Sequence, residues 1–253
     1  MRGWLRGLRG LGWGLAATLI GPTVVLAQAV SQPPMNAQTA LGGVSHPASP
    51  REPGSVPLSV QPQRANFLGQ AASIDARRVA DWVAASNDNG ALPFVVIDKV
   101  QARVFVFDSA ARLRGASFAL LGRARGDDTV PGIGDRKLST IRPEERTTPA
   151  GRFLAVLGRD LKGDILWVDY DAAIALHRVV TGDPGDHRLQ RLATTSPHDK
   201  RISYGCINVP ARFYDDVVLG ALIGGRGMVY ILPETRSVQA QFAMSKAAAE
   251  DRP

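Results

Sequence analysis

The chain has 253 residues, of which 45% are hydrophobic, with a formal net charge of +7 and a single cysteine. One cysteine excludes an internal disulfide and a zinc site built on several cysteines, and the four scattered histidines show no metal-ligand spacing. The sequence therefore predicts neither a metal nor another cofactor. The basic residues form no run interleaved with aromatic residues, which argues against nucleic acid as a partner.

The N-terminal segment has the pattern of an export signal. Residues 1–29 begin with arginines and no acid, continue with an apolar stretch, and end at Ala27-Gln28-Ala29, which fits the small-x-small cleavage rule. We predict cleavage after Ala29 and a periplasmic mature protein. A retained membrane anchor is the alternative, but glycines and Pro22 interrupt the apolar run, which makes it short for a stable span. Losing the three arginines lowers the net charge from +7 to +4, which suits an anionic polymer such as cell wall.

The rest of the chain divides by composition. A stretch rich in Pro, Ser, Gln and Ala cannot bury enough apolar area to fold, so it predicts a flexible linker. A helix is predicted over Ser73–Ala85, with Ser73 as its N-cap, and we expect it to pack on the main domain. The predicted segments are 1–29 export signal, 30–65 linker, 66–91 helical segment, 92–233 catalytic domain and 234–253 C-terminal tail with no assigned role.

Runs of β-branched and aromatic residues predict most of the main domain to be strands. These runs are Phe94–Asp98, Arg103–Phe107, Gly115–Leu121, Phe153–Leu157, Ile165–Tyr170, Ala172–Val180 and Gly227–Leu232. A helix is predicted over Pro210–Leu219. The Gly-, Pro- and charge-rich segment 122–147 predicts a long loop, which forms either the rim of a substrate groove or a plain exposed excursion. Because strands dominate without βαβ alternation, the sequence predicts a mainly β, β-rich α+β single domain.

The lone cysteine carries the main chemical question. Cys206 follows Gly205 directly, in a tight turn between a strand-like approach and a proline that can open a helix. A sulfur nucleophile needs a thiolate, a base and backbone N–H groups aimed at the oxyanion, whereas most lone cysteines are small buried hydrophobes. Three histidines are candidate bases. His177 ends an apolar run, where a rigid strand would hold its ring, whereas His187 and His198 lie in loops.

Three motifs in this order resemble the catalytic domain of the L,D-transpeptidases (the YkuD-type family). They are TPAGRF at 148–153, the apolar strand that ends in His177, and SYGCIN at 203–208. Tyr204 stands where the family usually has histidine, Arg178 stands where many members have glycine, and the 28 residues between His177 and Cys206 exceed the usual interval. The resemblance implies a divergent branch with a mixed-sheet β-sandwich and a few flanking helices.

The same resemblance implies an exported transferase that acts on peptidoglycan stem tetrapeptides. Cys206 would attack the third stem residue and release the terminal D-amino acid, with His177 as general base and then acid. Backbone N–H groups around Tyr204, Gly205 and Cys206 would form the oxyanion hole. The thioester would pass to an amine, either of another stem peptide or of an attached wall protein. Carbapenems would acylate Cys206.

Four further residues are predicted to contact substrate, and two other functions stay open. Ser203 and Asn208 are predicted groove contacts, and Arg201 and Arg178 could pair with a substrate carboxylate through a bidentate fork. One alternative is an L,D-carboxypeptidase or amidase on the same scaffold, because only access by water or amine separates the two reactions. The other is a non-catalytic wall-binding module, for which Tyr204 is the main support.

Overall fold

The computed structural model describes residues 63–160 and 163–244. The predicted export signal and nearly all of the predicted linker lie outside the described residues, as does the chain after residue 244. Across the described ranges, no helix combines the length and apolar character that a bilayer crossing requires.

Strands make up most of the described chain. They are β1 Phe94–Asp98, β2 Arg103–Phe107, β3 Leu113–Phe118, β4 Leu121–Gly122, β5 Gly151–Asp160, β6 Gly163–Asp169, β7 Ile174–Arg178, β8 Arg201–Ser203, β9 Ile207–Val209 and β10 Arg226–Ile231. The helices are α1 Ile74–Ser86, α2 Arg188–Ala193, α3 Ala211–Phe213, α4 Leu219–Ala221 and α5 Val238–Phe242, with a π-helical turn Tyr214–Val218 between α3 and α4. Single 3-10 turns are Ile133–Asp135, Leu138–Thr140, Pro143–Glu145, Pro184–Asp186 and Pro197–Lys200.

Eight strands form one mixed sheet in the order β3-β2-β1-β10-β5-β6-β7-β9, and β4 pairs with β8 separately. The pairs β1–β10, β7–β9 and β4–β8 are parallel. The two ends of the large sheet meet where Leu120 and Asn208 exchange backbone hydrogen bonds of 2.8 and 2.9 Å. The predicted mainly β class with a mixed sheet and a few helices is confirmed, and the large sheet is nearly closed on itself.

The alternation of side chains along the strands gives the sheet two separate apolar faces. One face packs against the helix that runs from α3 to α4 and against Ile133 and Ile141 of the long loop. The other face, which includes Phe94, Phe105 and Tyr230, packs against α1 and α5. Of the catalytic candidates, His177 lies on β7 and Cys206 lies in the turn just before β9.

Local signals in the sequence account for α1 and for the first hairpin. Ser73 Oγ accepts the Ala76 N–H at 3.0 Å, as predicted for the N-cap, and Asn87 ends the helix in the left-handed region. β1 and β2 coincide with the predicted ranges.

Elsewhere the elements differ from the predictions. The third predicted strand, 115–121, is wrong in extent. β3 ends at Phe118, after which Leu120 pairs with β9 and Leu121 with β8, so the chain leaves the large sheet. In the segment predicted as a tail, Val238 and Phe242 are buried against the α1 side of the sheet, so this part belongs to the folded body.

Candidate active site

The turn between β8 and β9 holds Cys206 and depends on Gly205. Gly205 has φ +131°, and a Cβ there would lie 2.6 Å from Ile174 Cδ1 and 2.8 Å from the Thr147 carbonyl oxygen. Thr148 Oγ1 donates to the Gly205 carbonyl at 2.7 Å and accepts the Gly122 N–H at 2.8 Å. The turn is therefore fixed by backbone conformation, by close packing and by a buried hydroxyl.

We expect Gly205→Ala to destabilise the domain by about 1–3 kcal/mol, because a methyl group must enter occupied space in an unfavourable backbone conformation. The measurement is the urea midpoint of unfolding. Gly224→Ala is the matched control, since a Cβ at Gly224 has no neighbour within 4 Å. Equal midpoint shifts in the two variants would contradict this account of the turn.

His177 and Cys206 form a hydrogen-bonded pair. The two residues come from adjacent parallel strands, because His177 is in register with Asn208, two residues beyond Cys206. His177 Nδ1 lies 2.7 Å from the Arg178 carbonyl oxygen, which can only accept, so Nδ1 carries the proton. The nitrogen left to take the thiol proton is Nε2. The base predicted from the sequence is thus the one beside the sulfur, and His187 and His198 are exposed in the 181–200 segment.

The pKa values of this pair move in opposite directions. Burial works to raise the pKa of the Cys206 thiol, but the hydrogen bond and charge of His177 outweigh it, so the pKa lies below its ordinary value. Burial works to lower the pKa of His177, but the hydrogen bond and charge of Cys206, the Arg178 carbonyl and the charge of Asp160 together outweigh it, so that pKa is raised. Together these shifts favour a thiolate–imidazolium pair, which is the reactive form of a nucleophilic cysteine.

The sulfur is also held by backbone groups of the chain just before and within β7. The Ala175 N–H donates to Cys206 Sγ, and the sulfur lies 3.6 Å from the Ala173 carbonyl oxygen. An N–H donor stabilises the thiolate further. Cys206 as a residue is half-buried, and it lines a small cavity.

One of the N–H groups predicted to form the oxyanion hole already has a hydrogen-bond partner inside the turn. The Gly205 N–H donates to Ser203 Oγ at 3.1 Å, so it is used inside the turn. This geometry argues against Gly205 as an oxyanion donor. The N–H groups of Tyr204 and Cys206, the other two predicted donors, stay predictions.

Ser203 and Asn208 both bind the carbonyl oxygen of Cys206. Ser203 Oγ donates to it at 2.6 Å and Asn208 Nδ2 at 3.1 Å. The two side chains are almost fully buried. They were predicted to contact substrate, but the structure assigns their polar groups to the turn that carries the nucleophile.

Arg201 lies in a buried ionic cluster. Its guanidinium contacts Glu234 Oε2 at 2.6 Å and the Lys99 carbonyl oxygen at 2.9 Å, and Lys99 Nζ contacts Asp127 Oδ1 at 2.8 Å. Burial lowers the pKa of Lys99. Burial works to raise the pKa of Asp127, but the hydrogen bonds from Lys99, Thr235 and the Glu234 N–H together outweigh it, so that pKa is lowered. Because the guanidinium of Arg201 is bound within this cluster, the geometry argues against the predicted substrate contact.

The Arg178 guanidinium also binds carboxylates of the protein itself, but it lies next to His177. It contacts Asp215 Oδ1 through Nε at 2.7 Å and Asp164 Oδ2 at 3.3 Å, and its guanidinium lies over the Tyr214 ring. Asp164, Arg178 and His177 line one cavity of about 300 Å³ together with Asp160. A substrate group entering this cavity would meet two carboxylates as well as the guanidinium.

The long loop 122–147 packs against the cysteine side of the pair. Ile133, Gly134 and Ile141 line a second cavity of about 60 Å³ together with Tyr204 and Cys206. This position matches the predicted rim of a groove better than a plain excursion.

The loop is fixed by contacts at its own residues. Arg146 stacks on the Tyr204 ring at 3.9 Å and donates to the Ile141 carbonyl. Arg136 binds Glu145 at 2.9 Å and holds the pKa of that carboxyl at about 2. The Tyr204 ring therefore packs against Arg146, a contact that the sequence did not predict for this position.

Sequence reasoning missed Thr148, Asp160 and Arg188. Thr148 begins the TPAGRF motif, and that position was the available signal for it. The charge of Asp160 raises the pKa values of both His177 and Cys206. Nothing in the local sequence singles out Asp160 or Arg188.

Within 63–160 and 163–244, no group of three or more His, Cys, Asp or Glu side chains could hold a metal ion.

Fold and site together define a class of protein. The domain is mainly β, and it presents a half-buried cysteine paired with a strand-borne histidine whose other nitrogen is bound to a carbonyl. Such a pair is chemically able to carry out nucleophilic acyl transfer.

Comparison with known proteins gives similar solved structures but no protein-family model and no curated protein that match. The catalytic domain of an Enterococcus faecium L,D-transpeptidase is 14% identical over 55% of this chain and 96% of that domain, with a TM-score of 0.31. An L,D-transpeptidase from Xylanimonas cellulosilytica is 18% identical over 55% of this chain and 60% of that one, with a TM-score of 0.32. A helical cell shape determining protein from Campylobacter jejuni is 12% identical over 66% of this chain and 58% of that one, with a TM-score of 0.38. At these values the function has to be argued from the site itself.

Proposed function

We propose that the protein is an L,D-transpeptidase, an exported cysteine acyltransferase that acts on peptidoglycan stem tetrapeptides in the periplasm. The observation that carries the proposal is the His177–Cys206 pair, in which the Arg178 carbonyl fixes the imidazole tautomer and Nε2 is left to act on the thiol. The motif order that resembles the family supplies the substrate class. Against the buried-hydrophobe interpretation, Cys206 is only partly buried and its pKa is lowered by His177.

The chemistry is a double displacement. The Cys206 thiolate attacks the carbonyl carbon of the third stem residue, the C–N bond to the terminal D-amino acid breaks, and the His177 imidazolium gives its proton to the leaving amine. An acceptor amine then attacks the thioester, His177 takes the amine proton, and the C–S bond breaks to restore the thiolate. The Tyr204 and Cys206 N–H groups would bind the oxyanion in both steps.

The surroundings of His177 favour an amine as acceptor over water. The cavity beside His177 is lined by the carboxylates of Asp160 and Asp164 and by the Arg178 guanidinium, and two carboxylates against one guanidinium favour a cationic ammonium group. An acceptor entering there would reach the imidazole that must remove its proton. The acceptor could belong to another stem peptide or to an attached wall protein. Hydrolysis of the same thioester by water is the second candidate function, since the cavity is open to solvent.

The test is mass spectrometry of muropeptides after incubation of the mature protein with purified disaccharide-tetrapeptide. A cross-linked dimer is expected, whereas a tripeptide alone would show hydrolysis. The control is the same protein alkylated with iodoacetamide, which should give neither product because Cys206 is the only cysteine. An unchanged tetrapeptide with the untreated protein would count against both reactions and favour a binding module. Carbapenem treatment should add its mass to the peptide that contains Cys206.

A further inference from the structure

One arginine of the segment between β7 and β8 contacts a residue that holds the Cys206 turn. Arg188 begins α2, and its Nη1 donates to Asn208 Oδ1 at 3.3 Å while its Nε donates to Asp186 Oδ2 at 2.8 Å. Only 16% of the Arg188 side chain is exposed, so solvent screens these contacts weakly. Arg188 thus contacts the site through Asn208 and not through the nucleophile itself.

Asn208 transmits this contact to the backbone of the nucleophile. Its Nδ2 donates to the Cys206 carbonyl oxygen, which also accepts from Ser203 Oγ. Two donors on one carbonyl oxygen fix the plane of the peptide that follows Cys206. The preceding peptide carries the Cys206 N–H, and its carbonyl oxygen, that of Gly205, accepts from Thr148 Oγ1. Because the peptides on both sides of Cys206 are held in this way, the direction of the Cys206 N–H is fixed within the turn.

The orientation of the Asn208 amide decides whether this contact is attractive. A guanidinium has donors only, so it accepts only the Oδ1 side of the amide as its partner. If the amide turned over, Nδ2 would face the Arg188 guanidinium and Oδ1 would face the Cys206 carbonyl oxygen, which would place donor against donor and acceptor against acceptor. Asn208 is only 2% exposed, so water could not compensate for those mismatches. Arg188 therefore selects the orientation that holds the turn.

The segment that carries Arg188 is itself anchored. Lys200 is fully buried, and its Nζ donates to the Thr194 carbonyl and hydroxyl at 2.8 Å and also to the Arg191 carbonyl at the end of α2. Arg191 Nε donates to the Asp186 carbonyl at 2.8 Å. Lys200 directly precedes β8, so α2 is tied to the chain on the approach to the turn as well as to Asn208 beyond it.

We propose that Arg188 is a positioning residue for acyl transfer: by fixing the Asn208 amide it holds the Cys206 turn with its N–H groups directed at the oxyanion. This inference rests on the proposed acyl chemistry but not on the identity of the acyl donor. It predicts that Arg188 affects the reaction of Cys206 with an acyl carbon, where an oxyanion forms, and not its alkylation, where none forms.

Two reagents separate these effects. The mature protein is acylated with p-nitrophenyl acetate, with nitrophenol release corrected for a Cys206→Ala background, and it is alkylated in parallel with iodoacetamide. We expect Arg188→Met, which keeps side-chain length but removes the donors, to slow acylation about tenfold and to change alkylation by less than about twofold. Arg188→Lys keeps a donor and should recover most of the rate. Arg212→Met, at a residue whose side chain is 97% exposed, is the control and should change neither rate.

Asp186→Asn covers the case in which Arg188→Met does not fold. It leaves Arg188 in place but weakens its support, and it should slow acylation by a smaller factor without affecting alkylation. Equal slowing of both reactions, or acylation as fast as wild type in the Arg188 and Asp186 variants, would overturn the proposal. A wild-type protein that p-nitrophenyl acetate does not acylate above background would also overturn it. Acylation of the wild type without any change in muropeptides would reject the proposed substrate but leave this inference standing.

Discussion

Replacing Cys206 by alanine is expected to reduce muropeptide turnover by about 10⁴-fold or more, to the background rate, because no other thiol exists to form the acyl intermediate. His177 and the Ala175 N–H both lower the pKa of Cys206, which is what the proposed role as nucleophile requires. The measurement is muropeptide mass spectrometry over a time course, with wild type and variant at equal concentration.

Cys206→Ser is the informative partner of that variant. Serine can keep the hydrogen bond to His177, but its hydroxyl is much harder to deprotonate than a thiol held below its ordinary pKa. We expect the serine variant to bind the tetrapeptide as wild type does and yet to turn it over no faster than the alanine variant. Turnover in both variants at the wild-type rate would place the chemistry at another site.

Replacing His177 by glutamine is expected to reduce turnover by about 10²–10⁴-fold, the usual contribution of a general base. The variant should also change the pH dependence of iodoacetamide alkylation. In the wild type the pKa of Cys206 is lowered, so alkylation should be rapid well below pH ~8.5, the ordinary thiol value. Without the imidazole, burial and the charge of Asp160 raise the pKa of the thiol and only the Ala175 N–H opposes them, so the midpoint should move to higher pH.

The pH profile of turnover follows from the same pair. The turnover rate should rise with pH as Cys206 loses its proton and fall as His177 loses its proton. The two apparent pKa values of this profile belong to the coupled pair and not to either residue alone. His198→Gln is the matched control, since His198 is exposed and should leave the profile unchanged. An alkylation midpoint that stays the same in His177→Gln would remove His177 from its assigned role.

The parts of the site that the sequence could predict are those recorded in local patterns. The Gly-Cys turn and the strand that carries His177 each occupy a few consecutive residues, so both could be located from the sequence. The side chains that hold the turn, among them Thr148 and Asn208, could not be recognised as its supports in the same way. The first hairpin and the N-cap of α1 were predictable for the same reason, since turn residues and β-branched runs act locally.

The roles of the arginines could not be predicted, because their partners are far away in the chain. Arg201 binds Glu234 and the Lys99 carbonyl, 33 and 102 residues distant, and only the sheet topology brings these groups together. The same holds for Arg188, which meets Asn208 through the 181–200 segment. An arginine near a catalytic motif looks the same in sequence whether it binds a ligand or an internal carboxylate.

The near-closure of the sheet at Leu120 and Asn208 affects the stage of folding at which the Cys206 thiol becomes reactive. Contacts between residues distant in sequence form late, because the entropy of closing the intervening chain must be offset first. Asn208 belongs to this seam and also to the turn of the nucleophile, and His177 reaches the sulfur only when β9 has docked beside β7. A newly made or unfolded chain would therefore carry an ordinary thiol, and completion of the fold would create the nucleophile. During refolding, the alkylation rate at neutral pH should rise last, after the hairpins and α1 have formed.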